Sequence, residues 1–269
     1  FARQEWAELT RTVRVRSPAG APSLVETVVR PLLARFDAAF AEVLKKANER
    51  FLYLAHLTEL LRDGRLEFAG IGDLPAGAGL YAHYLRQLER TLAAPGEAGA
   101  DAGSKPWEFA RRVILTLAAA QQAHVAYQQL LPASIRDEEF HGVPLAILAA
   151  LLDEPGRTVR LTFTLYSLKE ILAVWKGEDE RDARYMLGLK DFVATVEALW
   201  PEALTDTHRL LATQTLEALE GRWESVGDED PLDRWRLRYL VAQVELAGEE
   251  GLWQQLGEEE AIELAFHRL

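Results

Sequence analysis

The chain has 269 residues, 49% of them apolar, and its 42 acidic side chains outnumber 30 basic ones for a formal charge of -12. That composition supports two or three small domains with cores of their own and excludes a mainly disordered chain. The negative balance opposes a polyphosphate partner, which takes clustered Lys and Arg, and the lack of any cysteine excludes disulfides and thiolate zinc sites.

Arg11 to Arg16 alternates Val with Arg at period two, the pattern of a half-buried strand or of extended coil, and Pro18, Gly20 and Pro22 stop it. From Ser23 to Arg50 apolar residues recur at helical spacing with Pro31 inside, so two helices are expected. Phe51 to Leu61 is apolar almost all round and reads as a buried helix, and after a connector rich in Gly and Pro another helix starts near Gly79. Together these predict a helical bundle over 18–95. The small, polar text at 96–104 is the clearest linker.

Beyond it, Ser104 and Pro106 start a helix with Trp107, Phe109, Val113, Ile114 and Leu117 on its buried face. Gln121 to Leu131 reads as a second short helix ended by Pro132, Gly142 to Leu152 as a third, and Thr158 to Tyr166 as a strand from its alternation. Three helices followed by β structure predict a winged-helix domain over 105–176. The remainder, 177–269, is expected to be helical: Phe192 to Leu199, Thr207 to Leu219, and Pro231 to Leu246, started by Asp230 and Pro231 and stopped by Gly248, before an acidic segment from Glu258. The predicted class is mainly α: a helical bundle, a winged-helix domain, then C-terminal helical hairpins.

Chemistry-bearing patterns are sparse. Six histidines, His56, His83, His124, His141, His208 and His267, are scattered without metal-ligand spacing. There is no phosphate-loop pattern and no nucleophile elbow, and the glycines at 70, 72, 77 and 79 follow no strand and are interrupted by Pro75. Carboxylate clusters at 178–182, 228–230 and 258–260 fall in polar turns and helix ends, where solvated roles are expected. No catalytic, cofactor-binding or metal residue is assigned. Of the seven tryptophans, Trp200, Trp223, Trp235 and Trp253 crowd the last third, as core anchors or as an interface if exposed in pairs. No apolar run reaches the roughly 18 residues needed to cross a bilayer, and no signal peptide is read at the start, which fits a cytoplasmic fragment of a larger protein.

Several short patches carry a family resemblance: FLYL at 51–54 followed by LPAG and GLY, WEFARRVILTLAAA at 107–120, TLYSLKEIL at 164–172, and DRWRLRYLVAQVELAGEEGLWQQL at 233–256. In this wording the chain resembles STAND-class signalling NTPases of the NACHT and apoptosome type, in the region after their nucleotide-binding core. The resemblance implies a last core strand within 1–17 and ATP or ADP with magnesium in a core upstream. It also implies a non-catalytic relay role, with that core and downstream sensor repeats as partners, in a full-length protein that forms a homo-oligomer. From the acidic charge and the lack of a spanning apolar run, neither nucleic acid nor membrane is expected as a partner. Where the family carries a nucleotide-sensing histidine ahead of a serine and aromatics, the text here has Leu165, then Ser167, Leu168 and Ile171, and a leucine neither donates to nor accepts from a phosphate. An alternative is a helical-repeat interaction scaffold. A winged-helix DNA-binding regulator is disfavoured, because HGVPLAILAALL at 141–152, taken as the third helix, has no Lys or Arg.

Overall fold

A computed structural model describes residues 41, 79–93, 106–132, 140–153, 158–169, 171–176, 183–188, 190–219 and 230–258. The strand expected at 11–16, the helices around Pro31 and Phe51, and the linker at 96–104 lie outside them. The chain divides into two compact units, Phe1–His83 and Tyr84–Leu269, with the boundary inside helix α1, Gly79–Ala93. Helix α1 starts at the glycine expected, and buries Tyr81, Tyr84 and Leu85 on one stripe.

The second unit is mainly α and is organised around α2, Pro106–Leu130. Pro106 occupies the first turn and Trp107, Phe109, Val113, Ile114 and Leu117 are buried, as the spacing predicted. The helix does not break at Gln121. It runs on because both glutamines there are used inside the fold: Gln121 bonds to Leu187 and Gln122 to His208. Residues 113–120 are buried without interruption, which marks a helix covered on every side, and the Ala118, Ala119 and Ala120 run lets its neighbours approach closely.

Strand β1, Val143–Pro144, leads into α3, Leu145–Leu151, and then α4, Thr158–Ser167. Strands β2, Leu172–Trp175, and β3, Arg184–Leu187, follow. The sheet is antiparallel in the order β1-β3-β2, with Val143 opposite Tyr185 and Ala173 opposite Met186. Helix, strand, two helices and a two-stranded wing make the winged-helix topology, assembled differently from the sequence expectation. The segment at 142–152 is a strand plus the second helix, and Thr158 to Tyr166 is the third helix, where a strand was expected.

Period-two alternation misled at that third helix because α4 has apolar residues on both faces. Leu161, Leu165 and the following Leu168 are buried at i, i+4, i+7, while Val159, Phe163 and Tyr166 occupy another face. Thr164 and Ser167 donate their hydroxyls to the carbonyls of Arg160 and Phe163, four residues back, so side chains that favour strands are accommodated in the helix. The wing reaches Leu187, past residue 176 where the winged-helix segment was expected to close. Gly142 makes β1 possible: its φ is +91°, and a Cβ there would lie 2.9 Å from the Tyr185 carbonyl oxygen. At the far end of α3, Arg112 Nη2 donates to the Leu152 carbonyl at 2.7 Å and ties that helix end to α2.

Among the described residues four further helices follow: α5, Lys190–Leu199; α6, Pro201–Leu219; α7, Pro231–Ala247; and α8, Glu250–Glu258. The caps of α7 match expectation. The Asp230 carboxylate accepts from the Leu232 N–H, Pro231 sits in the first turn, and Gly248 takes a left-handed conformation at φ 63°. One stripe of α7, with Leu237, Leu240 and Val244, packs with Ala212 and Leu216 of α6 and Leu252 and Leu256 of α8. Another stripe, Tyr239 and Ala242, packs on Ala123 and Tyr127 of α2. Each fully buried large apolar side chain contributes about 1.5–3 kcal/mol, and α2 carries several of them, Phe109, Ile114 and Leu117 among them. Among the described residues, no helix is long and apolar enough to cross a membrane.

Candidate functional site

Helix α7 has a third stripe. Pro231, Arg234, Trp235, Arg238 and Tyr239 recur at i, i+3, i+4, i+7, i+8 and line one wall of a cleft of about 330 Å³. The opposite wall is the start of the winged-helix sheet, with Gly142 and Pro144 from β1 and its approach, Ile147 from α3, and Arg184 from β3. His124 of α2, with Phe140 and His141, completes the lining.

The aromatic groups are held in place by one another. Trp235 and Tyr239 have ring centroids 5.0 Å apart, Tyr239 meets Tyr127 edge-on at 5.7 Å, and Phe140 lies 5.0 Å from the His124 ring. His124 Nδ1 and the Tyr239 hydroxyl share a hydrogen bond of 3.1 Å, which links α2 to α7 at the cleft floor. At the rim, His141 packs on Trp175 at 5.3 Å and the Arg184 guanidinium lies 5.5 Å from the centre of the same indole. Among the described residues, no carboxylate lines the cleft. Asp230 is engaged at the Leu232 N–H and Asp233 pairs with Arg236.

Behind this wall, His208 of α6 is buried between α2 and α7. Its Nδ1 lies 2.6 Å from Gln243 Oε1 and its Nε2 2.9 Å from Gln122 Oε1. Burial lowers its pKa, with the Gln243 hydrogen bond opposing that shift in part. A neutral imidazole has one N–H, so it donates to only one of these two amide oxygens as they stand. The result is a polar pin through three helices.

The exposed face of α4 is the other notable surface. In a helix-turn-helix protein the second helix of the motif enters the major groove through side chains that reach base edges. Here that helix exposes Val159, Phe163 and Tyr166, at 67%, 70% and 69% of their full surface, spaced i, i+4, i+7. Its one arginine, Arg160, packs over the Phe109 ring at 4.1 Å, and Lys169 just beyond packs over Tyr166 at 5.1 Å. The residues matched to the family's sensing pattern are not at the cleft. Leu165, Leu168 and Ile171 are buried in the core and Ser167 bonds within its own helix.

Among the tryptophans, Trp107 is buried against Trp200, Trp235 belongs to the cleft, and Trp175 and Trp253 are partly exposed. Of the carboxylate clusters, Asp230 is a helix cap. Among the described residues, no group of three or more His, Asp or Glu is placed to hold a metal ion. The cleft was missed in the sequence, yet it left a trace there: Arg234, Trp235, Arg238 and Tyr239 fall on one face once 231–247 is drawn as a helix. No family model matches the chain, and neither a curated protein nor a solved structure matches it.

Proposed function

We propose that this chain is the relay arm of a STAND-type signalling NTPase in the cytoplasm, a non-catalytic segment that transmits the nucleotide state of a core upstream to sensor repeats downstream. The observation that carries the reading is the apolar stripe of Val159, Phe163 and Tyr166 on the third helix of the winged-helix element. Three large apolar side chains at helical spacing favour a protein partner over a solvated face, and the helix lacks the free cations that a phosphate backbone requires. In this reading α4 docks on the core in the resting state and leaves it when a ligand shifts the equilibrium. The covalently continuous α2, whose length serves both the winged-helix sheet and α6 and α7, is the element that carries the displacement onward. The same observation weighs against a DNA-binding regulator.

The test is made in the full-length protein. Phe163→Glu with Tyr166→Glu places two charges on an already exposed face, so folding is kept while docking on the core is lost. The expected result is release of the resting state, read as faster ADP exchange and a larger sedimenting species. Unchanged exchange and unchanged sedimentation would overturn the relay role of this face.

A further inference from the structure

We propose that the open edge of β2 is a self-association surface, on which β2 of a second copy of this chain pairs antiparallel across a twofold axis. The sheets of the two copies then join edge to edge. This inference is independent of the relay reading, because it rests on no feature of α4.

Backbone geometry is the first ground. In the order β1-β3-β2, β2 is an edge, and among the described residues no strand lies on its other side. The Gly188 N–H donates to the Ile171 carbonyl at 2.8 Å, which makes those two residues a hydrogen-bonded pair of the ladder. Bonded and unbonded pairs alternate, and Leu172 lies opposite Leu187 and Val174 opposite Tyr185. Ile171, Ala173 and Trp175 therefore turn their backbone groups toward β3, whereas Leu172 and Val174 turn theirs outward. Gln121 agrees with this parity, since it takes both backbone groups of Leu187 on the side away from β2. Among the described residues nothing bonds to the outward groups of Leu172 and Val174. Edge strands are ordinarily blunted by a charge, a proline or a bulge. Leu172–Trp175 has none of these, and Val174 and Trp175 are 44% and 48% exposed.

Self-complementarity is the second ground, and it selects a second copy as the occupant. Antiparallel bonds form between residues that both point outward, so Leu172 of one copy stands opposite Val174 of the other, and each of these two pairs exchanges both backbone bonds. Ala173 then meets its own copy on the axis and Trp175 stands opposite Ile171, so every residue from Ile171 to Trp175 faces an apolar one. Moving the partner by two residues sets Leu172 against Lys176 in one direction and Trp175 against Lys169 in the other. The Trp175 ring is already held by His141 at 5.3 Å and Arg184 at 5.5 Å, so little ordering is needed to pair. A strand of 4 residues covers far less than the roughly 800 Å² per partner of a standard interface, so the association is weak and concentration-dependent. Each copy carries a formal charge of -12, so salt strengthens it by screening their repulsion.

The whole chain is followed by sedimentation velocity from about 10 μM to about 1 mM, and a reversible dimer with a dissociation constant in that range is expected. It should be tighter in about 0.5 M than in about 0.05 M sodium chloride. Val174→Pro removes an outward N–H that β3 does not use, so the fold is kept and the dimer weakens roughly tenfold or more. Val174→Lys sets a charge opposite Leu172 of the other copy, and keeps the test readable if the proline variant folds poorly. Because the chain has no cysteine, mild oxidation reads the register: Ala173→Cys should cross-link two copies, whereas Val159→Cys, exposed on α4, should not. The proposal falls if the chain stays monomeric at about 1 mM, if the folded Val174 variants dimerise as the parent does, or if Val159→Cys cross-links as fast as Ala173→Cys. A dimer that salt weakens would equally overturn it, because opposite charges would then hold the copies together.

Discussion

Gln121 stands in for a strand beside Leu187. Its Nε2 donates to the Leu187 carbonyl at 3.0 Å and its Oε1 accepts from the Leu187 N–H at 2.9 Å, so both backbone groups of that residue are satisfied where the two-residue β1 has ended. One side-chain amide therefore closes the sheet and fixes α2 to it. Gln121→Ala should cost about 1–3 kcal/mol, since two half-buried backbone groups lose their partners. Gln121→Glu keeps an acceptor for the N–H but has no donor for the carbonyl and should recover only part of the loss. Denaturant midpoints decide this, and an alanine variant as stable as the parent would show that the pair is incidental.

His208 predicts how stability depends on pH. Its folded pKa lies below the ordinary 6.5, so between those two values the unfolded chain holds the extra proton. The neutral ring's contribution is complete above 6.5 and is lost as the pH falls from there through the folded pKa. His208→Gln cannot titrate. Melting temperatures measured between about pH 7.5 and 5 should fall less steeply for that variant than for the parent, even if it starts lower. Parallel curves would mean that His208 does not contribute to the acid sensitivity.

Two neighbours on α4 should respond oppositely to truncation. Leu161 is fully buried, and Leu161→Ala should cost about 2–5 kcal/mol. Phe163, two residues on and 70% exposed, should change stability by less than about 0.5 kcal/mol when replaced by Ala. A large loss at Phe163 in urea titrations of this chain would show that the face is covered within the chain itself, leaving nothing for a partner.

Gly142→Ala should destabilise the sheet by about 1–3 kcal/mol, because φ of +91° is strained for any side chain and the new methyl meets the Tyr185 carbonyl. The readout is the denaturant midpoint together with amide exchange at Tyr185, whose protection should drop. An unchanged midpoint would mean that β1 can be displaced at no cost.

What the sequence by itself determined are the features set by a few adjacent residues. The starts at Gly79, Pro106 and Asp230 with Pro231, the stop at Gly248, and the buried stripe of Trp107, Phe109 and Val113 follow from capping, fixed φ and helical spacing, and all are found where expected. The mainly α class follows from them.

Only the tertiary structure decided the rest, because the groups that settle it lie far apart in the chain. Gln121 looks like a helix break until Leu187, 66 residues away, takes up its amide. Thr158 to Tyr166 alternates like a strand, and becomes a helix because the core accepts Leu161, Leu165 and Leu168 while Val159, Phe163 and Tyr166 remain outside. The cleft is the extreme case: His124 and Tyr239 are separated by 115 residues, and Arg184 comes from another element again. Each of these side chains read singly is an ordinary surface or core residue. Their chemistry as a group exists only because α2 packs against both β3 and α7, so that burial, shared hydrogen bonds and close-packed rings hold them at fixed distances.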